Sequence, residues 1–396
     1  MEEVTAGQAA HSTPRAPTQS VLRERVQAVF RRLPSGVNGD DDSSQHLTTA
    51  AVLAAFAEEG LLQLDFLDPS ATSIAVHDVR HAAAIMSLLA ERSGTIAQIY
   101  MVNALLTPAV IVIEATPEQK QQLLPRLRSG TLELAFALTE PDAGSDAAAV
   151  ATVATATVEG FVLRGEKIYT TGAMSADFII VVARTAEQGT GKRAFRLFLV
   201  PKGAPGLTIE PLPKLSANLH ASCRLTLKDV FVSPNRIVGG TERLGSAWNS
   251  LRMTGGYERL IVAAMADGLG RAVVRRALEF AGSRRQFGQT IAAFQAIQHA
   301  LVEMQTLETA MRLFVENALS ALEKSSDATQ EICMAKYFCA EKLQRIVELG
   351  MRVMGGRGYF EFEVMSRYYR EAPYSLYAGG TIEIQKMLIA RTMGLV

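Results

Sequence analysis

The hydrophobic period of this chain changes twice, and that constrains its fold more than any single residue. From about Thr48 to Leu127 apolar residues recur at helical spacing, as in TTAAVLAAFAEEGLL, where threonines can cap the start and Gly60 ends the run. Between Leu132 and about Gly240 the pattern shortens to strand-like runs such as DFIIVVART and CRLTLKDVFVS, punctuated by glycine and proline turns. After Leu244 helical spacing returns in three long segments, which begin YERLIVAAM, AFQAIQHAL and ATQEICMAK. Long helices joined by short loops predict an antiparallel bundle. The expected architecture is mostly α with a central β domain. It comprises an N-terminal helical domain over 45–131, a small β-barrel or sandwich over 132–240 and a C-terminal four-helix bundle over 241–396. Residues 1–44, with the linker-like SGVNGDDDSS, are expected to be a flexible tail and linker.

Charge and cysteine usage narrow the task. Forty basic and forty acidic residues cancel, which leaves no global footprint for nucleic acid or an anionic membrane. A small-molecule substrate fits better. The three cysteines, Cys223, Cys333 and Cys339, have no CxxC spacing, so neither a disulfide framework nor a thiolate metal site is expected. The first twenty residues lack a basic start and an apolar core, so the expected location is the cytoplasm. The most membrane-like stretch, Ala97 to Ala115, is broken by Gln98, Asn103, Thr107 and Pro108 and is expected to be a buried helix. His77 and His81 have i,i+4 spacing but no third ligand nearby in sequence, so a helix face is expected and not a metal.

Four local signals carry potential chemistry. LTEPDAGSD, residues 138–146, packs Thr139, Gly144 and Ser145 into a turn whose hydroxyls and N–H groups can hold a heterocycle or phosphate. SRRQFGQTIAAFQAIQ, residues 283–298, gathers Arg284, Gln286, Phe287 and Gln295 at a helix connection, where arginine can clamp a pyrophosphate and phenylalanine can pack on a ring. MGGRGYFEFE, residues 354–363, interrupts a long helix with glycines that permit close backbone approach. LYAGGTIEIQKMLIAR, residues 376–391, is a glycine turn before a helix capped by Thr381 with Glu383 in its first turn, and its free N–H groups suit an oxyanion. Taken singly, each is also an ordinary turn or helix end.

In this order, within a helix, β, helix chain, the four signals resemble the acyl-CoA dehydrogenase family from about Leu47 onward. The resemblance implies FAD between the β domain and the bundle. Phe136, Leu138, Thr139, Gly144, Ser145, Tyr169 and Thr171 would lie on its ring side, with Tyr169 standing where tryptophan is usual. Arg284, Gln286, Phe287, Gln295, Arg352, Gly355, Gly356, Thr381 and Glu383 would serve the adenosine and pyrophosphate half across a subunit contact, with Arg352 standing where glutamine is common.

The family usually places its catalytic glutamate just before the Gly-Thr of the last turn, where this chain has Gly379. Two branches, resembling isovaleryl-CoA and long-chain acyl-CoA dehydrogenases, place it instead in an ERL sequence on an earlier helix, and Glu258 falls there. The expected activity is α,β-dehydrogenation of an acyl thioester, carried by CoA or an acyl-carrier protein. Glu258 would act as base and the N–H of Gly379 would hold the carbonyl, with Ser145, Tyr257 and Arg259 near the substrate. A homotetramer built as a dimer of dimers and an electron-transferring flavoprotein are the implied partners. A flavin-dependent monooxygenase on the same fold and a catalytically inactive flavin- or acyl-binding homologue are the alternatives.

Overall fold

The computed structural model describes residues 18–34, 47–185, 195–241, 247–325 and 327–395. The N-terminal helices are α1 (Gln19–Arg32), α2 (Thr49–Glu58), α3 (Val76–Ala90), α4 (Gly94–Tyr100), α5 (Thr107–Glu114) and α6 (Pro117–Arg128). The expectation of a loose tail over 1–44 is corrected at α1. Leu22, Val26, Val29 and Phe30 recur at helical spacing and are buried in the core shared with α3 and the bundle, so the segment gains enough apolar burial to fold. Residues 1–17 and 35–44 of that expectation lie outside the described residues. Thr48 caps α2 by accepting from Ala51 N at 3.2 Å.

Residues Gly94–Glu114 form one apolar helical stretch with a π turn at Met101–Leu106. By length and composition it can cross a membrane, but 83% of its most apolar window is buried inside the protein. It serves as the central post of the N-terminal domain. Thr107 Oγ1 donates to Val102 O at 2.8 Å across the widened turn.

Seven strands make one sheet: β1 (Leu134–Ala137), β2 (Val153–Ala156), β3 (Phe161–Thr171), β4 (Phe178–Thr185), β5 (Phe195–Pro201), β6 (Leu207–Leu212) and β7 (Ser222–Val232). Their order is β1-β4-β2-β3-β7-β6, with β5 on the other side of β4; β4 runs parallel to β1 and β2, and the remaining pairs are antiparallel. Leu163, Ile179, Phe198 and Leu225, from four different strands, share one core, so the sheet closes over itself.

The C-terminal bundle comprises α7 (Ala247–Ser283), α8 (Gln295–Lys324) and α9 (Thr329–Met354), then α10 (Val364–Glu371), α11 (Tyr374–Tyr377) and α12 (Ile382–Thr392). Here α7, α8 and α12 all pack on α9, and α3 packs on α7, so one core runs from the N-terminal domain into the bundle. Residues 252–265 lie wholly within α7, which carries Gly255 and Gly256 inside the helix.

Candidate active site

Glu258 is presented by the N-terminal third of α7, whose start is anchored by a hydrogen bond from Ser250 to the buried Glu114 of α5. It borders a small apolar cavity of about 20 Å³ between α3, the π turn and α7, lined also by Phe66, Val79, Leu105, Thr254 and Tyr257. Tyr257, half-buried, sits at the same wall. Burial pushes the Glu258 carboxyl above the ordinary carboxylate value of 4.5. Attraction to Arg259 and Lys336, and the nearby backbone N–H of Gly379, act in the opposite direction and are outweighed. Arg259 leaves its own buried Nε without a hydrogen-bond partner.

The chain therefore brings the Gly379 turn against the part of α7 that carries Glu258, although the two are remote in sequence. After α11 the backbone turns through Gly379 and Gly380, with φ of +68° and +91°, before Thr381 caps α12 by accepting from Ile384 N at 3.3 Å. Such values favour glycine, since a side chain there crowds the following carbonyl. A Cβ on Gly379 would lie 3.4 Å from Arg259 Cα, so the turn packs on the helix that carries the carboxylate.

On the β-domain side, the turn after β1 is pinned to β3. Ile168 N donates to Thr139 O at 2.9 Å, and Lys167 Nζ donates to Leu138 O at 3.1 Å. Glu140, inside the TEPDAGSD turn, accepts from Thr152 N at 2.8 Å and from the wholly buried Lys167 at 2.8 Å. This buried ion pair fixes the turn, leaving Gly144 and Ser145 exposed and Phe136, Leu138 and Thr139 half-buried beside the end of β3. Thr171 Oγ1 shares a hydrogen bond with Ser222 Oγ at 2.8 Å. Tyr169 has a φ of +59° and a ring 66% exposed, while Thr170 Oγ1 is buried without a partner. A tyrosine held in the left-handed region, at a cost of about 1–3 kcal/mol, marks a constrained site.

The remaining expected residues stay at the surface of the single chain. Arg284, Gln286 and Gln295 are exposed on the connection from α7 to α8, and Phe287 is 93% exposed with φ of +50°. Gly355 and Gly356 are exposed at the end of α9, Glu383 is exposed in the first turn of α12, and Arg352 is tied to Glu348 on its own helix. His81 does not join His77. Instead His77 Nε2 lies 2.9 Å from Asp65, while both oxygens of the neighbouring Asp78 accept backbone N–H groups of Asp65 and Phe66.

Sequence reading missed the residues behind the glycine turn. Lys336 of α9 is wholly buried, and its Nζ donates to Gly380 O at 2.6 Å and Leu376 O at 3.1 Å. Gln385 of α12 is equally buried, and its Nε2 lies within 3.2 Å of the carbonyl oxygens of Gly379, Gly380 and Thr381. The available signal was a lysine among Cys333, Ala335, Cys339 and Ala340, on a buried helical stripe where a charge is out of place.

Comparison with known proteins decides the family. The N-terminal, middle and C-terminal domains of acyl-CoA dehydrogenases match residues 16–131, 135–230 and 246–394. The chain belongs to the acyl-CoA dehydrogenase family. It is 37% identical to the 3-(aryl)acrylate reductase of Clostridium sporogenes, over 80% of this chain and 83% of that protein. It is 30% identical to caffeyl-CoA reductase-Etf complex subunit CarC of Acetobacterium woodii, over 71% of this chain and 73% of that protein. The crystal structure of an acyl-CoA dehydrogenase from Geobacillus kaustophilus is 26% identical, with a TM-score of 0.86 over 96% of this chain and all of that one. Membership makes this chain a FAD-dependent oxidoreductase of acyl thioesters.

Proposed function

We propose that Glu258 removes the α-proton of an acyl-CoA thioester in α,β-dehydrogenation, with the Gly379 N–H holding the carbonyl oxygen. The observation that carries this reading is the carboxylate of α7 at the wall of an apolar cavity, with the Gly379 turn packed against the same stretch of helix. FAD, when bound, supplies the hydride acceptor for the β-carbon. An α-proton beside a thioester is weakly acidic, so abstraction needs a desolvated base together with a donor where negative charge gathers on oxygen. Glu258 and Gly379 offer both groups side by side. An incoming carbonyl engages the Gly379 N–H beside the carboxylate, which burial has made more basic than an ordinary glutamate. The two relatives described above are named as reductases; in that direction Glu258 returns the proton to the α-carbon.

The residues present fit the cofactor. The exposed Tyr169 ring in its left-handed conformation and the orphaned Thr170 hydroxyl beside it suit a flat, polar ring system against the end of β3. Thr139, Ser145, Tyr169 and Thr171 would hold that ring. Arg284, Phe287, Gln295, Arg352, Gly355 and Gly356 would hold the pyrophosphate and adenosine half. Because Phe287 stands out into solvent in the single chain, we assign this second group to a subunit contact in a homotetramer. An electron-transferring flavoprotein is the proposed redox partner, as the name of the caffeyl-CoA relative suggests. Three buried free cysteines suit a reducing cytoplasm.

The test is Glu258→Gln, which keeps shape and a hydrogen-bond acceptor while deleting the base. On anaerobic mixing with butyryl-CoA, bleaching of the bound flavin should slow by about 10²–10⁴-fold. Wild-type bleaching by the variant removes Glu258 from this role.

A further inference from the structure

Two buried side chains that touch neither cavity nor cofactor surface converge on the glycine turn from opposite elements. Lys336 reaches from α9 to the carbonyls of Leu376 and Gly380, and Gln385 reaches back from α12 to those of Gly379, Gly380 and Thr381. Neither is an economical way to fill a core. Lys336 is fully enclosed, has only neutral carbonyl oxygens as hydrogen-bond partners, and meets the Glu258 charge through space without forming an ion pair among the described residues. An ammonium in that position is costly compared with methionine of similar length. Gln385 leaves its Oε1 buried and unpaired, itself a penalty of about 1–3 kcal/mol. Flipping its amide would set oxygen against three carbonyl oxygens, so the donor must face the turn.

We infer that Lys336 and Gln385 are positioning residues: by gripping the carbonyl of Leu376 on one side and those of Gly379, Gly380 and Thr381 on the other, they hold the peptide between them so that the Gly379 N–H faces the substrate oxygen. The mechanical reason lies in the backbone. The Gly379 N–H belongs to the peptide of Ala378, and the grips fall on either side of that peptide, on Leu376 O before it and on the carbonyls of Gly379, Gly380 and Thr381 after it. Two consecutive glycines in the left-handed region have no side chains to fix these flanks, and a peptide whose flanks move carries its N–H away from the site. Oxyanion donors act by preorganisation, so loss of aim costs rate more than affinity. The inference rests on the proposed roles of Glu258 and Gly379 and adds the residues that make the second role possible.

The experiment uses the FAD-loaded enzyme with Lys336→Met and Gln385→Met, two substitutions of similar length that each remove one grip. Each variant should lower kcat about 10- to 100-fold with KM changed by less than about 3-fold. The infrared carbonyl band of bound [1-¹³C]crotonyl-CoA should also move toward its position in free solution, because the hydrogen bond to Gly379 is weakened. That band reports the donor without requiring turnover. Lys336→Met also removes a charge that acts on Glu258, so Gln385→Met, which leaves that charge in place, carries the decisive pair of readouts, including where Lys336→Met fails to fold. Variants that keep the wild-type kcat and carbonyl band, or that change KM alone, overturn the clamp. Glu258→Gln run alongside separates the two readings: full turnover by that variant sinks the proposed base, whereas a dead Glu258→Gln beside unaltered clamp variants sinks only the positioning role.

Discussion

Replacing Glu133 with glutamine should make the protein more stable, and only above mildly acidic pH. Glu133 precedes β1 and is buried under the Gly172 turn, where its carboxylate accepts from Ser175 Oγ at 2.6 Å and lies 3.8 Å from His220 Nε2. Burial raises its pKa from 4.5 to about 7, with the neighbouring Asp177 adding to the rise and the Ser175 bond opposing it. The folded protein thus keeps a proton that the unfolded chain releases. A raised folded-state pKa contributes stability that is complete below pH 4.5 and is lost as pH climbs through about 7. At about 1.4 kcal/mol per unit, the shift is worth about 3 kcal/mol, a sizeable share of the 5–15 kcal/mol typical of domains. His220, held down to about 3 by burial, stays neutral across this window and does not interfere. Glutamine keeps the shape and cannot lose the proton. Denaturant titrations of wild type and Glu133→Gln at pH 5 and pH 8 should show a relative gain for the variant of up to about 3 kcal/mol at the higher pH. Parallel curves at the two pH values would refute the reasoning.

Lys167→Met leaves the buried Glu140 carboxylate without its cation and should destabilise the fold by about 3–5 kcal/mol; Glu140→Gln in the same chain should recover part of that loss, read from denaturation midpoints. Gly172→Ala places a Cβ 2.6 Å from His220 Nε2 at a φ of +83°, so it should cost more than about 1 kcal/mol and lower flavin retention on gel filtration. Moving the carboxylate, with Glu258→Gly and Gly379→Glu together, sets a side chain at φ +68° and a glycine within a helix. It should lose about 2 kcal/mol of stability and stay at least about ten-fold below wild-type turnover. Wild-type stability and rate in the swap would show that the strain argument is wrong.

The sequence carried the large divisions of this chain because each depends on a repeated signal. Period 2 between Leu132 and Gly240 became the sheet, helical spacing beyond it became α7, α8 and α9, and Thr381 became the cap of α12. What stayed illegible depends on single buried polar groups. In TEPDAGSD the hydroxyls draw attention, yet it is Glu140 that anchors the turn, through a lysine 27 positions later whose burial no local pattern announces. Gln385 likewise reads as a solvated amide until the fold encloses it, whereas Lys336 stands out only by its place on the apolar stripe of α9. The helix α1 was hidden for the opposite reason, since its apolar stripe is narrow and surrounded by Arg23, Glu24, Arg25, Arg31 and Arg32.

The division of labour between α7 and the last turn follows from backbone geometry. A donor for the thioester oxygen must come from an N–H outside any helical ladder, and the left-handed pair at Gly379 and Gly380 provides one by turning its carbonyls inward to Lys336 and Gln385. That same conformation penalises any side chain at 379, because a Cβ there is strained by a φ of +68°. A carboxylate on α7 avoids the conflict. Its backbone is held by the helix and its side chain enters the cavity beside Tyr257 and Thr254. The Gly379 turn packs on the same stretch of α7, so the proposed base need not come from the turn itself. With the proposed donor and base on separate elements, the turn is free to be shaped for its N–H alone. The two buried, otherwise costly side chains behind it are the structural expression of that freedom.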